Sequence, residues 1–339
     1  MIIKDEIYGT ISFSETEKRI IDTRDFQRLR RIKQMSLTYL VYPGATHTRF
    51  DHALGTMHLA SEIAEKLKVE KEELRLYALL HDVGHVAFSH DSEKVLKKYL
   101  GNHEEIGKKK VCNGLIADII NENYSAKKIW AIGEQEIGKI VTSDIGADRM
   151  DYLKRDSHNT GVAYGVIDVD RLLHTLSMEK GELCVDQKGL EAAETLLISR
   201  FMMFSTVYLH KTTRVAAAMF CRALQAAIEN NEIDPEEFLE MTDEEALMRL
   251  KKTSSEKLIR RLTERRLYKI VEQFDPAEKK VKVAKDCFVD QPIEQKEINI
   301  KIKTKEGLLI PIKEISTLVR SLIISERERM KCLIIKIDG

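Results

Sequence analysis

Between His81 and His90 the chain reads His-Asp-Val-Gly-His-Val-Ala-Phe-Ser-His, three imidazoles and a carboxylate within ten residues. Imidazole and carboxylate are the donor types that suit first-row divalent ions, and His81 and Asp82, differing in direction and length, can reach one ion together. His85 lies one helical turn beyond His81 and projects toward the same region if the helix continues. The apolar run from Leu74 to Leu80 predicts a buried helix that delivers these groups to a pocket, with Gly84 loosening or ending it. Taken alone, a His-Asp pair is as readily a satisfied core histidine as a ligand.

A second dense polar stretch runs from Ser143 to Asp156, and on a helix its Asp148, Tyr152 and Asp156 share a face at successive turns. With His52 on an earlier predicted helix, the order His52, His81-Asp82, Asp148 leaves gaps of 29 and 66 residues. Three helices contributing such side chains inward is how a helical bundle builds a metal site. Two imidazoles and two carboxylates suit manganese, magnesium, iron, nickel or zinc without choosing among them. Such a site leaves room for water and a phosphate. Arg24, Arg28, Arg30, Arg31 and Lys33 also cluster, and most charge runs of this kind are a solvated face.

The 339 residues are enough for a large core without disulfides or a structural metal. Lys plus Arg equals Asp plus Glu at 55 each, so net charge argues neither for bulk nucleic-acid binding nor for membrane attraction. Cys112, Cys184, Cys221, Cys287 and Cys332 are scattered and contain no Cys-x-x-Cys, which fits a reducing cytoplasm. There is no signal-like start and no run of spanning length. After an alternating arm over residues 1–13, Ser14 and Glu17 predict a capped helix start. Helical spacing then continues over 25–34, 46–67, 70–81, 91–100, 103–121, 132–142, from 168, 190–230, 234–250 and 255–262, with a short strand at 183–185. Beyond Asp275-Pro276 the period becomes two over 280–284, 298–303 and 333–337, around one helix at 312–322. The expectation is a mainly α fold of two parts: a helical core over 1–275 and a small α+β appendage over 276–339.

Four segments, residues 26–34 (Phe-Gln-Arg-Leu-Arg-Arg-Ile-Lys-Gln), 42–52 (Tyr-Pro-Gly-Ala-Thr-His-Thr-Arg-Phe-Asp-His), 81–90 and 148–153 (Asp-Arg-Met-Asp-Tyr-Leu), occur in the order found in the HD-domain phosphohydrolases. Together they resemble the deoxynucleotide triphosphohydrolase branch over about residues 1–215, without any counterpart of the SAM domain that some members carry. The resemblance implies an HD-domain helical bundle with His52, His81, Asp82 and Asp148 as metal ligands. It implies that His85, His90 and His103 contact phosphates or move protons, with His90 the acid for the leaving 5′ oxygen and His103 paired to a carboxylate. Glu93 holds that carboxylate position, where the SAM-bearing enzyme has aspartate. By the same carry-over, Arg49, Arg149 and Arg200 contact phosphates, Arg149 in place of lysine. Tyr152 and Asp156 meet the sugar 3′-hydroxyl, and Tyr208 sits beneath the 2′ carbon. Gln34 and Met35 are further sugar and base neighbours, Met35 in place of leucine. Asp22, Gln27, Arg28 and Arg30 fall where relatives bind a regulatory guanine nucleotide between subunits, and a homodimer or tetramer is implied with it.

The expected function is metal-dependent hydrolysis of a deoxynucleoside triphosphate to deoxynucleoside and triphosphate. Two alternatives stand beside it: HD-type hydrolysis of another nucleotide phosphoester, and a nucleotide sensor or nucleic-acid scaffold with a vestigial site. A scaffold has no use for four converging ligands, which weighs against the last.

Overall fold

Ser14 and Thr48 each open a helix with a reciprocal capping box, and these two helices begin the half of the chain that carries the polar motifs. In the computed structural model, which describes residues 1–277, 283–292 and 297–337, a hairpin of β1 (Ile2–Asp5) and β2 (Gly9–Ser12) precedes α1 (Glu15–Ile21) and α2 (Arg24–Arg28). A bundle follows: α3 (Arg49–Leu67), α4 (Glu72–Leu80), α5 (Ser89–Leu100), α6 (His103–Cys112), α7 (Gly114–Asn121), α8 (Ala126–Ala131), α9 (Lys139–Thr142) and α10 (Ala147–Thr160). Next come α11 (Val169–Thr175), β3 (Leu176–Glu179), β4 (Glu182–Asp186), α12 (Leu190–Met203), α13 (Lys211–Glu229), α14 (Asp243–Leu250) and α15 (Glu256–Thr263). The last part holds β5 (Lys269–Phe274), β6 (Cys287–Asp290), β7 (Lys301–Lys303), β8 (Leu309–Pro311), α16 (Ile312–Ile315), α17 (Thr317–Arg329) and β9 (Cys332–Lys336). The fold is mainly α with small sheets.

The central helix is α3, buried along most of its length from Phe50 to Ala64 rather than on one stripe. It packs against α4 on one side and α10 on another. Gly55 makes the second contact feasible, because a Cβ there would overlap the side chains of Asp151 and Arg155 on α10. Two sheets join distant segments: in the order β3-β4-β7-β8 the strand β7 runs parallel to β4, and in β5-β9-β6 the strand β9 lies antiparallel between its neighbours.

Several predicted elements are shorter than their patterns. The helix expected over 25–34 ends at Arg28 in a 3-10 turn, because the next backbone groups bond elsewhere: Arg49 N–H to Ile32 C=O and Gln34 N–H to His47 C=O. The helix does not continue from α4 to His85 either; it stops at Leu80, with His81 as its C-cap. Residues 190–230 are interrupted by a π-turn at Phe204–Tyr208, and 234–250 by Met241 and Thr242, where Thr242 caps α14. The 312–322 helix is two helices, α16 and α17. Of the strand expected over 280–284, residues 280–282 lie outside the described residues.

Candidate active site

The two histidines nearest the centre are fixed by what their outer nitrogens do. His81 Nδ1 donates to the Ala78 carbonyl at 2.7 Å, so its Nε2 is left as an acceptor, and that atom is buried with no hydrogen-bond partner among the described residues. His52, in the second turn of α3, places Nδ1 2.7 Å from Asp151 Oδ2 and Nε2 3.0 Å from Asp148 Oδ1. His81 Nε2 is 3.9 Å from the same Asp148 oxygen. Asp82 reaches in from between: Oδ1 is 3.4 Å from His81 Nε2, and Oδ2, bound by Arg49, is 3.7 Å from His52 Nε2.

These donors fit a divalent ion. Donor atoms of His52, His81 and Asp148 lie within 4.8 Å of one another, a spacing that bonds of about 2.0–2.2 Å can span with small adjustments. The orphaned Nε2 of His81 is the kind of buried lone pair that an ion would satisfy. Each imidazole also donates its other N–H to a carbonyl or carboxylate, the outer-layer arrangement typical of metal-ligating histidines. With protein groups alone, burial disfavours a charged His52, but the hydrogen bonds its ring donates to Asp148 and Asp151 outweigh it and push its pKa up to about 10. Burial likewise opposes ionisation of Asp82, yet His81 and Arg49 hold it well below the usual carboxylate range.

Behind His52 lies a buried network that the motifs did not point to. Arg155 is fully buried on α10 and donates from Nε and Nη2 to the two oxygens of Asp151, and from Nη1 to Asp5 at 3.0 Å. Asp151 therefore faces a guanidinium on one side and His52 on the other. It orients the ring and leaves Asp148 free to face the cavity.

From Val83 to Ser89 the chain turns between α4 and α5. Gly84 is required by close approach, since a Cβ would overlap the His103 carbonyl and the Gly107 backbone of α6. Phe88 and Ser89 both adopt left-handed conformations, at φ 60° and 47°. That strained pair is tied down twice. Arg49 Nε donates to Ser89 Oγ at 3.0 Å, and the Phe88 N–H donates to Asp243 Oδ1 at 2.8 Å. Asp243, the first residue of α14, takes the Lys33 N–H on its other oxygen at 2.9 Å.

Beyond this turn stands a group of three imidazoles. His85 is 1% exposed, stacks on His103 with ring centres 4.2 Å apart, and meets His90 edge-on at 4.8 Å. Burial, then the nearby Arg49 charge, holds the His85 pKa well below its ordinary value and keeps the ring neutral. Glu93 Oε2 accepts from His103 Nδ1 at 3.0 Å and from His90 Nδ1 at 3.3 Å. Burial opposes the charge on Glu93, but these two donors lower its pKa below the usual range; the Glu93 contact overcomes burial and raises that of His103.

The inner side chains of both groups open onto one cavity of about 890 Å³. Its wall includes His81, Asp82 and Asp148, the imidazole group with its neighbours, and also Gln34, Met35, Arg49, Arg149, Tyr152, Asp156 and Tyr208. Arg149 pairs with Asp144. Asp156 is held by His47 Nε2 on Oδ1 at 2.7 Å and by the Tyr208 hydroxyl on Oδ2 at 2.6 Å, so both oxygens are engaged. Arg200 is not on this wall. It is buried, with its guanidinium 3.6 Å from Glu326 on α17 and 5.3 Å from the Phe204 ring centre. Gln27, Arg28 and Arg30 line a separate cavity of about 320 Å³ with Arg24, Arg31, Glu240 and Glu245, whereas Asp22 caps the end of α1 outside that lining. Arg28 crosses between the two regions, donating from Nη2 to the His85 carbonyl at 2.7 Å. Asp151, Arg155, Asp243 and His47 were not singled out from the sequence.

Known proteins resemble this chain along most of its length. Residues 49–159 match the HD domain and residues 167–285 the HD associated region. An uncharacterized protein of Methanocaldococcus jannaschii is 43% identical over 274 residues, covering 79% of this chain and 58% of that protein. A deoxynucleoside triphosphate triphosphohydrolase SAMHD1 homolog of Dictyostelium discoideum is 30% identical over 328 residues, covering 85% of this chain and 63% of its own length. The chain thus spans roughly three fifths of each of these relatives. The crystal structure of a hypothetical protein from Aquifex aeolicus superposes with a TM-score of 0.87 at 33% identity, covering 100% of this chain and 96% of the other.

Proposed function

Since the chain belongs to the HD-domain phosphohydrolase superfamily, we propose that it hydrolyses deoxynucleoside triphosphates to deoxynucleoside and triphosphate with a divalent metal ion. The observation that carries this reading is the single 890 Å³ cavity, which gathers a set of metal-ligand candidates, Arg49 and Arg149, three imidazoles and a tyrosine-aspartate wall. A nucleoside polyphosphate needs all four; a simple phosphomonoester needs only the first two. The relative named as a deoxynucleoside triphosphate triphosphohydrolase supports the same substrate class.

His52, His81, Asp82 and Asp148 would hold the ion, which when bound neutralises phosphate charge and lowers the pKa of water. Arg49 and Arg149 face the triphosphate, and a guanidinium at each position can grip two oxygens at once. The bond broken joins the α-phosphorus to the sugar 5′ oxygen. His90 donates a proton to that departing oxygen, and Glu93 orients His90 and His103 for it. His85, neutral and buried, offers a hydrogen bond without adding charge. Tyr208 and Tyr152 flank the sugar, with Asp156 fixing the Tyr208 hydroxyl. Gln34 and Met35 border the sugar and base. Two further elements of the reading, a guanine nucleotide at Gln27, Arg28 and Arg30 and a homo-oligomer that completes its site, rest on family resemblance. No helix among the described residues is long and apolar enough to cross a membrane.

The test is incubation with each deoxynucleoside and ribonucleoside triphosphate and a panel of divalent metals, followed by chromatography of the products. Triphosphate and deoxynucleoside are expected. Release of pyrophosphate or of a diphosphate refutes the proposal, as does full activity in a His81→Ala/Asp82→Ala variant.

A further inference from the structure

We propose that His85, His90, Glu93 and His103 form a second cation site, separate from that of His52, His81 and Asp148, which captures a borderline transition ion such as zinc and thereby inhibits the enzyme. Each of the four residues can offer one ligand atom, and those atoms lie within 4.8 Å of one another. Glu93 Oε2 is 3.0 Å from His103 Nδ1 and 3.3 Å from His90 Nδ1. Around a tetrahedral zinc ion with bonds of about 2.0–2.1 Å, neighbouring ligand atoms stand about 3.3 Å apart. The cluster is therefore near ligand spacing before any ion enters.

Its chemistry differs from that of the first site. Three imidazoles and one carboxylate favour zinc, copper or nickel over magnesium or manganese, whereas the first site, richer in carboxylate, accepts harder ions. Entry requires displacing the protons now shared between Glu93 and the two Nδ1 atoms, so capture releases protons. One wall is rigid: His85 is 1% exposed, and its Nε2 is buried without a hydrogen-bond partner among the described residues. The opposite wall is adjustable, since the His90 side chain is 57% exposed and can turn. Asp82 stands between the two groups, with Oδ1 3.4 Å from the Nε2 of both His81 and His85, and its negative charge offsets repulsion between neighbouring cations.

Binding itself does not depend on the proposed reaction, but the inhibitory consequence rests on His90 being the proton donor. An imidazole bound to zinc through Nδ1 cannot form the imidazolium that acts as the acid, and its remaining Nε2 proton could leave only by making an imidazolate anion. Cobalt(II) is a direct probe, because an N- and O-ligated tetrahedral ion gives visible absorption bands far stronger than an octahedral one. The full chain should bind two zinc ions by equilibrium dialysis and should develop the tetrahedral cobalt spectrum. The His90→Ala/Glu93→Gln variant should bind one zinc ion and lose that spectrum, while His52→Ala/Asp148→Ala should bind one and keep it. Circular dichroism of each variant verifies the fold, and His90→Ala alone, at an exposed position, provides a variant without a packing defect. A parent that binds a single ion, or a His90→Ala/Glu93→Gln variant that still binds two, overturns the second site. Absence of nucleotide hydrolysis in a zinc-free, manganese-loaded parent would instead sink the proposed reaction and leave the site standing, whereas a two-zinc parent as active as the zinc-free one overturns the inhibition.

Discussion

Asp243 offers the most discriminating test of how the site is supported. Its carboxylate is buried and accepts two backbone N–H groups from segments far apart in sequence, Lys33 and Phe88, each on its own oxygen. The second bond holds a turn in which Phe88 and Ser89 are both left-handed. Such a conformation costs roughly 1–2 kcal/mol per non-glycine residue, so the turn persists only while its anchors exceed that cost. A hydrogen bond to a charged acceptor contributes about 1.5–3 kcal/mol. Asp243→Ala removes two of them and leaves two buried donors unpaired, so a loss of about 3–5 kcal/mol in urea unfolding is expected. That is enough for the turn to relax, carrying away the Ser89 hydroxyl that holds Arg49, and His90 with it. Hydrolysis should fall about tenfold or more while manganese binding is retained, because His52, His81, Asp82 and Asp148 lie outside the turn. Asp243→Asn should be intermediate in stability: the amide keeps one acceptor but sets its NH2 against the other backbone N–H. An alanine variant within about 0.5 kcal/mol of the parent would refute the clamp, the range of an ordinary surface change. So would an asparagine variant less stable than alanine.

Three further outcomes follow from the same geometry. Asp151→Asn breaks the carboxylate that orients His52 and helps neutralise Arg155; manganese affinity should drop about 10–100-fold by calorimetry, and stability by about 3 kcal/mol as a buried guanidinium loses one of the two carboxylates it donates to, Asp5 remaining. Unchanged affinity would show that Asp151 does not fix the ring. Gly84→Ala places a methyl group on the backbone of α6, and the expected cost is about 1–3 kcal/mol in urea unfolding with weakened hydrolysis, because His103 begins that helix. Burial pushes the Cys221 thiol up to about 12, with the neighbouring Asp91 adding to it, and Sγ donates to the Asp91 carbonyl. Peptide mapping after iodoacetamide treatment at pH 8 should find Cys221 unmodified in the native protein and modified in urea; labelling of native Cys221 would contradict the packing around α13.

What could be read from the chain and what could not divide along a physical line. The stretch from His81 to His90 was legible because its chemistry is contiguous, and the face of Asp148, Tyr152 and Asp156 because α10 obeys the helical period. The partition of roles between Asp148 and Asp151 was not. They are three residues apart on one helix, and only the contacts to opposite nitrogens of His52 tell the cavity-facing carboxylate from the orienting one. Asp243 was hidden in a pattern that reads as continuous helix over 234–250. The break that makes it a helix start is local, a capping box of Thr242 and Glu245; what is tertiary is the use of its carboxylate, which takes the Lys33 and Phe88 N–H groups. The strand β7 was legible as alternation, but nothing in alternation says that it pairs with β4.

The support for this turn comes from far along the chain: the Ser89 N–H finds the local Val86 carbonyl, whereas the Phe88 N–H takes its acceptor from another element. Here Asp243 lies 155 residues from Phe88, inside the HD associated region. That region is therefore part of the geometry of the candidate site in physical terms. The proposed ligand set of His52, His81, Asp82 and Asp148 lies wholly within residues 49–159 and needs no residue of that region. The position of His90 and the grip of Ser89 on Arg49 do depend on it. Metal binding and phosphate-handling should accordingly respond to different parts of the chain: the first to α3, α4 and α10, the second also to α14.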